Sequence, residues 1–165
     1  MQIKRISAGL DFSAAIWASF LAGAIFLLSL MLITGNWVGD SDFIWRMIAA
    51  IVQGEEALNP AVAVTSGTIT AALFIHFALS LFWGLTIALV IHRWGLIVGL
   101  AGGALLGFFI YGINFFSMSF FFPWFYPLRS SAWLIGHLIF GAVAGGFYEL
   151  LEVDDDERDL LERKS

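Results

Sequence analysis

The chain has no cysteine, only three prolines and few charges, and each shortage removes a class of explanation. Without cysteine there is no disulfide framework, no thiolate nucleophile and no Cys-ligated metal or cluster. Charged residues make up 13% of the 165, about half the share of an ordinary soluble domain. Residues 12–39, 57–92, 94–128 and 130–148 contain no Asp, Glu, Lys or Arg at all. No basic patch is available to hold nucleic acid. The net charge of −5 is local: from Glu149 onward eight acidic residues outnumber three basic ones, and the rest of the chain balances. The low pI therefore describes a tail, Glu152–Ser165, expected to be a solvated cytoplasmic extension.

What remains is 60% hydrophobic and 16% aromatic. A helix needs roughly 20 mostly apolar residues to cross about 30 Å of hydrocarbon, and each uncharged window holds one such helix. The expected fold is an all-α, integral membrane four-helix bundle, with spans at about 13–34, 65–91, 95–116 and 131–151. The start MQIKRISAGLDFSAAIW has the basic residues of a signal peptide, but its apolar run is too long for an h-region and no small-x-small cleavage site follows. It reads as an uncleaved first span. His92-Arg93-Trp94 is so tight a connection that spans two and three are antiparallel neighbours. Lys4, Arg5, Arg93, Arg158, Arg163 and Lys164 fall on one side, Arg46 and Arg129 on the other, which places both termini in the cytoplasm.

Between spans one and two, SDFIWRMIAAIVQG carries apolar residues at helical spacing, with Ser41 or Asp42 as N-cap and Gly54 as stop. This predicts a short interfacial helix at about 42–53, capping the bundle. Between spans three and four, SFFFPWFYPLRSSAW is too aromatic and Pro-broken to cross. It turns at headgroup level, with Trp124, Tyr126 and Arg129 as interfacial anchors and Arg129 reaching water or phosphate. If anything binds from that side, the place to look is beneath this stretch.

Small residues recur every fourth position: Ala15, Ser19 and Gly23 in span one, Gly95, Gly99, Gly103 and Gly107 in span three, Gly141 and Gly145 in span four. Such ridges let membrane helices approach closely enough for van der Waals contact to hold them together. Span two carries Thr68, Ala72, His76, Ser80 and Gly84 at the same interval. Polar residues inside a span are functional candidates by default. Bis-histidine haem ligation by His76 and His137 meets a depth mismatch of about 7 Å, estimated from helical rise. A proton or small-solute path through His76, His137 and Glu149 lacks any carboxylate deeper than Glu149. Membrane-embedded catalysis lacks a nucleophile–base set, a His-x-x-x-His pair and an Asp pair, so the protein is read as no enzyme and no metal site is assigned. The structural alternative is that His76 and Ser80 hydrogen-bond across helices, while Tyr111, Asn114 and His137 form a polar cluster.

RMIAAIVQGEEALNP, then IHFALSLFWGLTIALVIHRWGLIVGLAGGALLGFFIYGINFF, then FFPWFYPLRSSAWLIGHLIFGAVAGGFYELLE follow in an order that resembles small bacterial inner-membrane proteins, and more distantly the YagU type. The likeness covers residues 46–151 and rests on a Gly-rich third span, an aromatic Pro-Trp connector and a final span opening with Gly136-His137. It implies a bacterial inner membrane and supplies no activity or site. A sodium:proline symporter label carried by some similar chains is at odds with four spans. The expectation is a non-catalytic accessory or structural subunit, partnered by the bilayer and by other membrane subunits or its own copies. A small proton or solute transporter using His76 and His137 is the alternative, and a b-type haem protein the third reading.

Overall fold

A computed structural model describes residues 10–38 and 42–152, with side chains between 33 and 38 left aside. Lys4, Arg5, the candidate cap Ser41 and the acidic tail from residue 153 lie outside the described residues. Among the described residues five α-helices follow one another: α1 (Phe12–Val38), α2 (Phe43–Gln53), α3 (Ser66–Ile91), α4 (Leu96–Gly112) and α5 (Ser131–Leu151). Four rods are long and apolar enough to cross a membrane, those of α1, α3, α4 with its continuation to Phe120, and α5. The shorter apolar helix α2 sits between the first two. Among the described residues there is no strand. An apolar solvent leaves backbone groups no partner except one another, and helices satisfy that condition within a single segment.

The ends are set by local chemistry. Asp11 Oδ1 accepts from Ala14 N at 3.0 Å and opens α1. Thr65 and Thr68 form a reciprocal capping box at the start of α3. Gly54, at φ 83°, closes α2 by donating its N–H to Ala50 O. Asp42 holds the N-cap position of α2 without a capping bond, and its carboxylate lies 3.8 Å from Arg46 instead. Arg46 is buried and donates to the carbonyls of Val62 at 3.2 Å and Pro60 at 3.5 Å, pinning the α2–α3 connection.

The third rod runs on past its expected end at about residue 116, to Phe120. α4 passes at Ile113 into a π-helical turn, Ile113–Ser117, then a 3₁₀ turn, Met118–Phe120. The connector that follows is itself a 3₁₀ helix, Pro123–Leu128, with Pro123 in its first turn, where a missing N–H costs nothing.

Two interior clusters stack along the bundle. One joins α2, the connector and the facing ends of the spans through Leu30, Ile44, Met47, Phe115, Phe125 and Trp133. The other, toward the His92–Gly95 turn, packs Ala14, Ala18, Ala22, Ile87, Ile91 and Tyr148. Large apolar side chains also cover the outside, as at Phe74 (72% exposed) and Ile97 (82%), the inverse of a water-facing surface.

Helix pairing follows the small residues. Gly99, Gly103 and Gly107 face the backbone of Gly145, Gly141 and His137, and a methyl at Gly103 would overlap the Gly141 carbonyl. On the other side of α5, Gly136 gives room to the Phe26 ring. Across α1 and α3 the fit is reciprocal: Gly23 receives Ser80, and Gly84 receives Ser19. Gly95 is the exception. It lies outside α4 at φ 81° with open space around it, so it serves the turn, not the ridge.

Candidate functional site

The interior polar side chains meet around one aromatic ring. Phe26 of α1 lies 5.8 Å from the His76 ring and 4.8 Å from the His137 ring, centroid to centroid. His76 Nε2 is 2.8 Å from Gly23 O, and a carbonyl can only accept, so Nε2 carries the proton and Nδ1 of the neutral ring is a bare acceptor. This bond crosses from α3 to α1. Ser80 does not cross: its hydroxyl donates to His76 O at 2.7 Å within α3, correcting the expectation of an interhelical bond. A serine deep in hydrocarbon finds its nearest unoccupied lone pair one turn back on its own helix.

His137 is held from two directions. Its Nδ1 is 2.7 Å from Trp133 O, which makes Nδ1 the protonated nitrogen and Nε2 the acceptor. Asn114 Nδ2 then donates to Nε2 at 3.2 Å. Tyr111 packs edge-on against the same imidazole at 5.7 Å. Tyr111, Asn114 and His137 are thus brought together. Asn114 reaches His137 from within the π-helical turn, whose altered bonding pattern re-aims side chains relative to a straight helix.

These groups border a cavity of about 170 Å³ walled by α1, α2, α3, the π turn, the connector and α5. Phe26, Phe115, Phe125, Phe140 and Trp133 contribute aromatic walls, and His76, Ser80, Asn114 and His137 the polar points. Phe122 and Phe125 of the aromatic stretch also line it, so that stretch forms part of the cavity wall. Trp83 lines it as well, and its Nε1–H is buried without a hydrogen-bond partner among the described residues.

The anchors behave differently from one another. Tyr126 is half exposed, whereas Trp124 is partly covered among Phe122 and Phe125. Arg129 folds back along the connector and stays partly exposed. Its Nε donates to Tyr126 O at 2.6 Å, and its guanidinium lies 3.4 Å from the Tyr126 ring centroid and 4.8 Å from that of Phe116. Folding back over two aromatic faces adds cation–π contact to the hydrogen bond that holds the side chain.

A second polar group, at the His92–Gly95 turn, escaped the sequence reading. Tyr148 is fully buried and donates to Glu152 Oε1 at 3.1 Å, while His92 Nδ1 faces both the Tyr148 oxygen at 2.9 Å and Glu152 Oε1. Glu149 accepts from Trp94 N at 3.2 Å and Gly95 N at 2.7 Å, and Glu152 Oε2 from Arg93 N at 3.3 Å. Arg93 sits at φ 65°, so three successive amides curve toward these carboxylates in a small anion-binding concavity. Glu149 therefore ties a turn and caps the start of α4. The four-residue spacing of Tyr148 and Glu152 was the available signal.

Comparison with family models, with curated proteins and with solved structures yields no match. The site is read from its own chemistry. Among the described residues no group of three or more His, Cys, Asp or Glu side chains is assembled to hold a metal. His76 and His137 offer imidazole nitrogens, but a planar macrocycle between them requires displacing Phe26 and releasing the Asn114 bond to His137 Nε2.

Proposed function

We propose that this chain is a non-catalytic multi-pass protein of the bacterial inner membrane, both termini cytoplasmic, that acts by associating with other membrane subunits or with its own copies. The observation that carries the reading is how the interior polar groups are used. His76 is bonded to Gly23 O, His137 to Trp133 O and Asn114, and Ser19 and Ser80 to their own helices. Each specifies helix pairing or saves a hydroxyl from isolation, and none forms a nucleophile–base pair. The Lys and Arg distribution supports the orientation.

The test is affinity purification from native membranes in mild detergent. A stoichiometric partner, or a defined oligomer, is the expected result. A clean monomer without partner overturns the reading. Proteoliposomes give the transport alternative its own test, favoured by the presence of two histidines on one cavity. Solute or proton flux lost in His76→Ala would replace the accessory role with transport.

A further inference from the structure

We infer that the interior cavity binds a small membrane-dissolved alcohol or phenol, a hydroxyl on an apolar body of about one ring, with His76 Nδ1 accepting the hydroxyl proton. The choice follows from where the protons of the cavity-lining side chains go. His76 Nε2–H is spent on Gly23 O, the Ser80 hydroxyl on His76 O, and His137 Nδ1–H on Trp133 O. Asn114 Nδ2 gives one of its two protons to His137 Nε2. Trp83 Nε1–H is sealed off and takes no part. What these side chains have left is mostly lone pairs. His76 Nδ1 and Asn114 Oδ1 have no partner among the described residues, and neither is sealed as the Trp83 nitrogen is. Both belong to residues that line the cavity.

A neutral imidazole nitrogen and a carboxamide oxygen accept, so an unpaired one in hydrocarbon is relieved by a ligand that brings a proton. A ketone, ester or ether can meet only the second Asn114 proton. A hydroxyl donates to Nδ1 and still has lone pairs with which to accept. Volume then separates a hydroxyl compound from water. The cavity holds about 170 Å³, whereas one water needs only ~10–15 Å³ and about two to four polar partners. Most of the wall is apolar, Phe26, Ile48, Phe115, Phe140 and Trp133 among it, and offers a cluster of waters nothing to bond. An apolar cavity of ~150 Å³ takes up one benzene ring, which sets the size of the body behind the hydroxyl. Leu79 and Met118 line the cavity and are also 40% and 38% exposed, giving it a side toward the hydrocarbon in which such a compound dissolves. The inference rests on the membrane-spanning reading and is independent of any partner subunit.

The experiment is fluorine NMR of para-fluorophenol added to the purified protein in detergent micelles, with empty micelles as the blank. Saturable binding of one molecule per chain is expected. Para-fluoroanisole, the same ring with its hydroxyl methylated, is expected to bind roughly five- to tenfold more weakly, the worth of one buried hydrogen bond. His76→Phe keeps a ring and removes the acceptor, so it is expected to weaken para-fluorophenol by a similar factor and leave para-fluoroanisole unchanged. Leu79→Trp fills the hydrocarbon-facing side without removing a polar group and is expected to abolish saturable binding, with far-UV circular dichroism as in the parent. Displacement of para-fluorophenol by cyclohexanol would extend the class to aliphatic alcohols, and displacement by phenol alone would restrict it to phenols; either result upholds the hydroxyl and names its source. Absence of saturable binding by the parent protein, as in a cavity that takes water alone, overturns the inference. Equal affinity of the parent for para-fluorophenol and para-fluoroanisole overturns it too, and that comparison needs no variant to fold. None of these results alters co-purification of a partner, so the two readings fall separately.

Discussion

The seam between α4 and α5 and the seam between α3 and the third rod are built on opposite plans. In the first, Gly99, Gly103 and Gly107 bring one backbone against the carbonyls of Gly145, Gly141 and His137. At that range Cα–H groups and carbonyl oxygens touch, and there is no room for even a methyl group. In the second, Leu79, Trp83 and Met118 keep the rods apart and enclose space. Close packing of one pair therefore leaves the other partner of the bundle at a distance, and large aromatic residues fill only part of the gap. The rigid seam holds the architecture; the open seam is where the molecule has freedom to accept something.

That contrast can be broken by adding volume to each side. Gly103→Leu puts a side chain into the Gly141 carbonyl, and backbone cannot yield as a flexible side chain can. A loss of about 3 kcal/mol or more is expected, read as a collapse of the helical signal at lower denaturing-detergent fraction. His137 belongs to both seams, its carbonyl against Gly107 and its ring at the cavity. His137→Leu removes the acceptor for Asn114 and is expected to cost about 2 kcal/mol in the same titration. A cost near zero would mean that the polar cluster contributes nothing to pairing.

Glu149→Gln tests the end of the tight seam, where the carboxylate takes the amides of Trp94 and Gly95. The shape is kept and the charge lost, so about 1 kcal/mol is expected, with faster amide exchange at residues 94 and 95 as the specific readout. Met118→Phe adds volume beside the open seam. Stability within about 0.5 kcal/mol of the parent is expected, because the added ring has a cavity to enter and lipid beside it. A loss as large as that of Gly103→Leu would erase the distinction between the two seams.

The four spanning rods and α2 were legible because uncharged windows and periodic apolar residues report directly on hydrocarbon burial. Tyr111, Asn114 and His137 were legible as neighbours because rise per residue converts sequence into depth in antiparallel spans. Gly95 was misassigned to the ridge since a four-residue interval does not distinguish a helical position from the turn just before it. Ser80 was misassigned because its own helix and its neighbour both offer acceptors, and only the approach of α1 decides. Arg129 folds onto Phe116 and Tyr126, a choice governed by the connector's 3₁₀ path, which two prolines disguised. The cavity was legible only as a place, beneath the aromatic stretch and beside Asn114 and His137; its volume had no signal, since a void is the remainder left by every packing contact around it.

The π-helical turn at Ile113–Ser117 has a further consequence, one of phase. Gly99, Gly103, Gly107, Phe115 and Ser119 are all buried, and all lie on one four-residue lattice. In a straight α-helix each step of four drifts about 40°, so over the twenty residues from Gly99 to Ser119 the lattice would swing to the opposite side of the rod. A turn bonded i→i+5 winds less per residue and takes back part of that drift. It works as one extra residue held in register, keeping both ends of a long rod aimed at the same neighbours. Removing a single residue from this turn would restore α phase and rotate everything beyond it by about 100°, carrying Ser119 off its buried face and swinging the aromatic connector away from the cavity wall it helps to form.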